Sequence, residues 1–175
     1  MTPVLRLATT DDLPALRAMM ARAIAQLQST FLTPSEVEAS KAVMGLDSQL
    51  ILDNCYYLAE LDGQLAGSGG WSRRATLYGG DHSAGRDARM LDPATEPARI
   101  RAMYTDPAFA RRGVGRAVLT CCEAAARRAG FQTVELMATL SGEPLYRTSG
   151  FVAVERIFDS NGGAPVPLVR MSKAL

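Results

Sequence analysis

The sequence predicts a single α/β domain, on three observations. Strand-like apolar runs alternate along the chain with runs of helical periodicity. Asp62-Gly63 separates two strand-like runs as a type I′ hairpin signal. Ala110-Arg111-Arg112-Gly113-Val114-Gly115-Arg116 joins a further strand-like run to a helix-like one. A length of 175 residues fits one domain over residues 1–175, and 47% apolar residues are enough for a full core. No internal repeat or linker divides it.

Val4 to Ala8 reads as the first strand. Asp11 or Asp12 can cap the helix that follows, with Pro14 in its first turn and Leu13, Leu16, Met20, Ile24 and Leu27 at helical spacing. A second helical stretch is expected from Pro34 to about Met44, and a turn or two from Asp47 to Leu52. Cys55–Leu61 and Gln64–Trp71 form the hairpin, in which Gly67, Gly69 and Gly70 point to a bulge or a close backbone approach. Residues 73–97 show no sustained period and carry two prolines and three glycines; they read as a loop beside the active site, partly folded. Ala98–Thr105 is a strand ended by Asp106-Pro107, and Gly113–Ala129 is a helix stopped by Gly130. Thr133–Ala138 is a strand, Glu143–Ser149 a short helix stopped by Gly150, and Phe151–Phe158 and Val166–Met171 are the last two strands.

A net charge of only +1, without a basic stripe, argues against a nucleic-acid partner. No apolar run is long enough to span a membrane. The opening Met1-Thr2-Pro3-Val4-Leu5-Arg6 lacks a signal-peptide pattern. Cys55, Cys121 and Cys122 do not make a disulfide framework, so a cytoplasmic setting is expected.

The segment 110–116 carries the chemistry. Two glycines one residue apart let the backbone bend and leave its amides uncrowded. The helix that follows aims free N–H groups and its positive dipole end at the same place. Together they make an anion site suited to a pyrophosphate, with Arg111, Arg112 and Arg116 adding charge. A Walker phosphate loop is disfavoured, because no Gly-Lys-Ser/Thr follows.

The order strand, Asp106-Pro107, Arg111-Arg112-Gly113-Val114-Gly115, helix, strand, Tyr146-Arg147-Thr148-Ser149-Gly150-Phe151 resembles the GNAT superfamily of acetyl-CoA-dependent N-acetyltransferases. The order of elements is similar over nearly the whole chain, and the specific motifs lie between about residues 98 and 152. Ala110 stands where that family usually has Gln or Arg, which removes one side-chain contact and leaves the main-chain amides. The resemblance implies a mixed, mostly antiparallel sheet of about seven strands flanked by helices and split where coenzyme A enters. It also implies acetyl-CoA as co-substrate, with no metal. Amides from Arg111 through Arg112, Gly113, Val114, Gly115 and Arg116 would hold the pyrophosphate. The strand end Met103, Tyr104 and Thr105 would bond the pantetheine arm through its main chain, with Ser141 as a polar neighbour. Tyr146 would give its proton to the departing thiolate. A phenol ionises near 10 and a thiol near about 8.5, so a neutral tyrosine can donate as that charge develops.

The base is open at this level. The strand Ala98-Arg99-Ile100-Arg101-Ala102-Met103-Tyr104 carries no carboxylate. Glu60 and His82, the only histidine, are candidates; water-mediated deprotonation with no dedicated base is the third option. Trp71, Arg73, Tyr78 and Arg101 are candidates for the acceptor pocket, with core packing and ion pairs as the competing roles. Cys121 and Cys122 read as helix packing rather than as an acyl-enzyme nucleophile. The expected reaction is direct acetyl transfer to a primary amine, of a small molecule, in a ternary complex. The competing readings are a non-catalytic acyl-CoA-binding sensor and a protein or peptide N-terminal acetyltransferase, which would need an open groove. A homodimer is the expected assembly, on the resemblance alone.

Overall fold

Three strands precede the long irregular segment and four form from it onward. In the computed structural model, which describes residues 1–175, they are β1 (Val4–Leu7), β2 (Tyr56–Leu61), β3 (Gln64–Ser72), β4 (Ala98–Thr105), β5 (Thr133–Thr139), β6 (Val152–Asp159) and β7 (Val166–Ala174). The helices are α1 (Leu13–Leu27), α2 (Pro34–Ser40), α3 (Ser48–Leu52), α4 (Val114–Arg128) and α5 (Glu143–Thr148). The strands form one sheet in the order β1-β2-β3-β4-β5-β7-β6. Every adjacent pair is antiparallel except β4 and β5. Those two run parallel and pair only through Ala98↔Val134 and Arg99↔Glu135. Beyond that point they share no ladder, and the sheet opens into two wings.

Local chemistry explains most boundaries. Asp62 and Gly63 both take positive φ, +53° and +72°, as a type I′ turn requires. Gly130 and Gly150 end α4 and α5 at φ +93° and +92°. Thr33 and Glu36 form a reciprocal capping box at the start of α2. The second helix is shorter than its sequence suggests. After Ser40 the backbone tightens to Ala42 N–H to Ala39 O and Val43 N–H to Ser40 O, both 3.1 Å, ahead of Gly45 at φ +135°.

Two features of the central strands set up the site. Gly67 and Gly69 leave room for Val114 and Val118, so α4 lies directly on β3; a Cβ at Gly67 would stand 2.5 Å from Val114 Cγ1. The partner strand β4 is not regular. Gly70 pairs with Arg101 and Ser68 with Tyr104, so one extra residue bulges from β4. Ala102 sits in that bulge at φ +50°, and the buried Tyr56 hydroxyl donates to its carbonyl at 2.8 Å.

Segment 73–97 is irregular and firmly tied. It folds into a ribbon through Ala75 N–H to Arg89 O, Thr76 N–H to Asp87 O and Leu91 N–H to Arg73 O. A buried ion cluster fastens it to the body. Arg101, 3% exposed, donates to Asp47 Oδ2 at 2.8 Å and to the carbonyls of Gly79 (2.6 Å) and Thr76 (3.2 Å). Arg86 donates to Asp47 Oδ1 at 2.9 Å.

Candidate active site

The gap between β4 and β5 is the mouth of a cleft of about 870 Å³. One end is formed by the start of α4 and by α5; the other by α1, residues 43–45 and residues 77–79.

Backbone makes the first end. Arg111 at φ +64° and Gly113 at φ +81° turn the chain twice within three residues. As a result no N–H from Arg111 to Arg116 donates a hydrogen bond within the protein. Unpaired amides in a concave turn at the head of a 15-residue helix form a built anion nest. Asp106 steadies its approach, accepting from Ala108 N–H at 3.0 Å and pairing with Arg22. The side chains differ in what they contribute. Arg111 and Arg116 line the cleft, and Arg116 donates to Thr148 Oγ1 at 3.0 Å. Arg112 turns away, stacking on Phe109 and facing Asp62 at 3.8 Å, so only its amide is available to the nest.

Further in, Met103, Tyr104 and Thr105 line the cleft along the free edge of β4. Their side chains serve the fold: Met103 packs beside Gly69, and the Tyr104 hydroxyl accepts from Gly45 N–H at 2.7 Å. Ser141 lies opposite, 3.1 Å from Thr139 Oγ1. Tyr146 lines the same stretch, 7% exposed, its ring edge-on to Phe151 at 5.8 Å. Its hydroxyl makes no hydrogen bond within the chain, and burial pushes its pKa well above the usual phenol range. The phenol is neutral at ordinary pH and its hydroxyl is uncommitted within the chain.

The second end corrects several sequence expectations. Trp71 does not line the cleft. It pairs with Ile100 near the closed end of the sheet and packs edge-on against Phe131 at 6.1 Å, while Arg73 stacks on its indole at 5.1 Å and is likewise outside the cleft. Arg101 reaches the cleft wall, but its guanidinium is engaged by Asp47 and by the carbonyls of Thr76 and Gly79, which gives it a structural role in holding 73–97. Tyr78 also lines the cleft. Its hydroxyl donates to Asp159 Oδ2 at 2.7 Å, and burial together with that carboxylate pushes its pKa up to about 12.

Neither candidate base is in the cleft. Glu60 lies on β2 toward the sheet edge, its Oε1 accepting from Arg6 at 2.9 Å. The exposed His82 holds Lys41 O through Nε2 at 2.6 Å. The lining contains no Asp, Glu, His, Lys or Cys at all. Cys122 is buried, with its thiol pKa raised by desolvation, consistent with packing. Sequence reasoning missed Asp47, Asp159 and Gln28, polar residues isolated in the sequence that only the folded chain brings to this end.

The acetyltransferase (GNAT) family profile matches residues 21–151, and the chain belongs to that family. No match to a curated protein sequence was found. Among solved structures, the GCN5-related N-acetyltransferase of Rhodopseudomonas palustris aligns over 100% of this chain and 97% of its own at 20% identity, with a TM-score of 0.75. The ribosomal-protein-alanine N-acetyltransferase of Brucella melitensis aligns over 98% and 99% at 19% identity and TM-score 0.67. The PaiA N-acetyltransferase of Thermoplasma acidophilum, solved in complex with coenzyme A, aligns over 100% of both chains at 13% identity and TM-score 0.66. The protein is therefore an acetyltransferase with the GNAT fold, a seven-stranded, mostly antiparallel sheet with flanking helices. No helix is long and apolar enough to cross a membrane.

Proposed function

We propose that this protein moves the acetyl group of acetyl-CoA to a primary amine of a small molecule by direct attack in a ternary complex. The observation that carries the reading is the run of unpartnered amides from Arg111 to Arg116, opening into a cleft that Tyr146 also lines. Those amides and Arg116 would hold the pyrophosphate, and the free edge of β4 at 103–105 would take the pantetheine arm as an added strand. Bound there, the co-substrate supplies a thioester, the acetyl donor. Tyr146 Oη then gives its proton to the sulfur that leaves. Most of the rate is assigned to holding amine and thioester together, since no side-chain base lines the cleft. Fixation of 73–97 by the Asp47–Arg101 cluster, which sets residues 77–79 into the acceptor end, favours a small molecule over an extended peptide. One domain acting in the cytoplasm completes the reading. Val152, Val154 and Phe158, exposed on edge strand β6, support a homodimer.

The test is coenzyme A release from acetyl-CoA over a panel of amines, amino acids and peptides, for wild type and Tyr146→Phe. A turned-over amine whose kcat collapses in the variant is the expected result. Binding of acetyl-CoA with no turnover of any amine would instead support the sensor reading.

A further inference from the structure

The helix that carries Tyr146 cannot place itself. Its six residues are far fewer than an isolated helix needs, so α5 lies where its contacts hold it. Its first turn is tied to β6, where Arg156 donates to Glu143 Oε1 at 2.8 Å. Two further contacts, one on either side of Tyr146, set it against the head of α4. Leu145 packs on the bare backbone of Gly115, where a Cβ would stand 3.0 Å from Leu145 Cδ2. Thr148 Oγ1 accepts from Arg116 Nη2 at 3.0 Å and turns its own proton to the carbonyls of Pro144 and Leu145, 3.0 Å each. Arg116 is thus held at the cleft wall by a neutral hydroxyl, which orients its charge without neutralising it. One N–H is used, and the rest of the guanidinium remains for an anion in the nest.

We propose that Arg116 and Thr148 are positioning residues that join the pyrophosphate in the nest to α5, so that the nucleotide end of the co-substrate sets Tyr146 at the sulfur. This rests on the transferase reading and deepens it. Arg116 gives one N–H to Thr148 and others to the pyrophosphate, so the anion, α4 and α5 share one guanidinium. The anion thereby fastens the last turn of α5 over the nest, and the seat of Leu145 on Gly115 fixes how close it comes. Tyr146 lies between these two contacts in the chain, its ring resting on the backbone of Gly142 and edge-on to Phe151. Binding energy from a part of the donor that does not react is then used to orient the acid. A donor that ends at pantetheine fills the edge of β4 and leaves Arg116 with Thr148 alone.

Acetyl-CoA and S-acetylpantetheine carry the same thioester and differ by the nucleotide end. With an amine that the panel shows to be turned over, kcat for both donors is compared in wild type, Tyr146→Phe and Thr148→Val. With acetyl-CoA, Tyr146→Phe should lower kcat about 10²-fold; with S-acetylpantetheine the loss should shrink to about tenfold. Thr148→Val removes an exposed hydroxyl and keeps the side chain's shape. It should lower kcat for acetyl-CoA about tenfold, the scale of a small misplacement, with coenzyme A affinity by calorimetry within about twofold of wild type. It should have no further effect in Tyr146→Phe, and Thr148→Ser should restore the wild-type kcat. Hydrogen exchange supplies a readout that needs no acceptor. Coenzyme A should slow the amides of residues 145–150 in wild type and less so in Thr148→Val, while those of 111–116 slow equally in both. An equal loss from Tyr146→Phe with the two donors overturns the proposal. So does equal protection of 145–150 in wild type and Thr148→Val, or a Thr148→Val effect that adds in full to that of Tyr146→Phe. Each of these leaves the transferase reading intact. A wild-type kcat for Tyr146→Phe on acetyl-CoA removes the acid role and this proposal together, and failure to bind coenzyme A overturns the transferase reading and this one with it.

Discussion

The two ends of the cleft are made from different material. The coenzyme end is backbone: consecutive amides from Arg111 to Arg116, shaped by two positive-φ residues and a helix start. The acceptor end is side chain: Gln28, Tyr78, Met137 and Leu168, drawn from four separate segments and held by the buried contacts of Asp47 and Asp159. A backbone site tolerates exchange of its side chains and fails when its dihedrals change. A side-chain site behaves the other way round. The predictions below break or sharpen that contrast.

The largest effect is expected at the cluster under the acceptor end. Asp47→Asn removes one charge and leaves Arg101, 3% exposed, without its anion. Breaking a buried pair from one side costs about 3–5 kcal/mol. Thermal unfolding should show a large fall in Tm, while coenzyme A affinity of the folded protein stays near wild type. Loss of coenzyme A binding in the folded variant would show that the two ends are not independent.

Tyr146→Phe comes next and tests the junction between the ends. Loss of a positioned acid lowers kcat by about 10²-fold or more, with coenzyme A affinity unchanged. The pH sign follows from burial. The folded phenol ionises above its usual range, so it stays protonated through about pH 10. No loss of kcat from this group is expected below that point. Only above it does the unfolded state shed a proton that the folded state keeps, and stability then falls with rising pH. A kcat that declines between pH 8 and 9, measured with an amine already neutral there, would remove the acid role.

Gly113→Ala perturbs the coenzyme end alone. An alanine held at φ +81° costs about 1–2 kcal/mol, and relief of that strain re-aims the amides. Coenzyme A affinity should drop about tenfold, whereas Arg112→Ala, whose side chain faces Asp62 and Phe109, should change it much less.

The same contrast explains what the sequence could disclose. The coenzyme end was legible because a local backbone shape needs particular residues at adjacent positions: glycines at 113 and 115, then a helix, then Tyr146 at a fixed distance. The hairpin at Asp62-Gly63 was legible for the same reason. The acceptor end was not. Tyr78 was one of four candidates, and Trp71, Arg73 and Arg101 were equally reasonable by residue type. What separates them is the β3–β4 register that turns Trp71 onto Phe131 and the burial that hands Arg101 to Asp47. Both are long-range contacts. The bulge at Ala102 was hidden too, because nothing in Ile100-Arg101-Ala102-Met103 announces a positive φ; the Tyr56 hydroxyl, 46 positions away, helps hold it.

The smallest effect is expected where a base would have been sought first. Glu60 pairs with Arg6 on the outer strands, and His82 caps a carbonyl of the 41–45 turn from the exposed side. Neither lines the cleft, so Glu60→Gln and His82→Ala should each leave kcat/KM within about twofold of wild type, the ordinary scale for a surface change. His82→Ala loses one hydrogen bond to Lys41 O and should show it as a slightly lower Tm. The informative result is the pair taken together at several pH values. If deprotonation is water-mediated with no dedicated base, both variants keep the wild-type pH profile. A variant that flattens that profile would place a base within reach of the cleft.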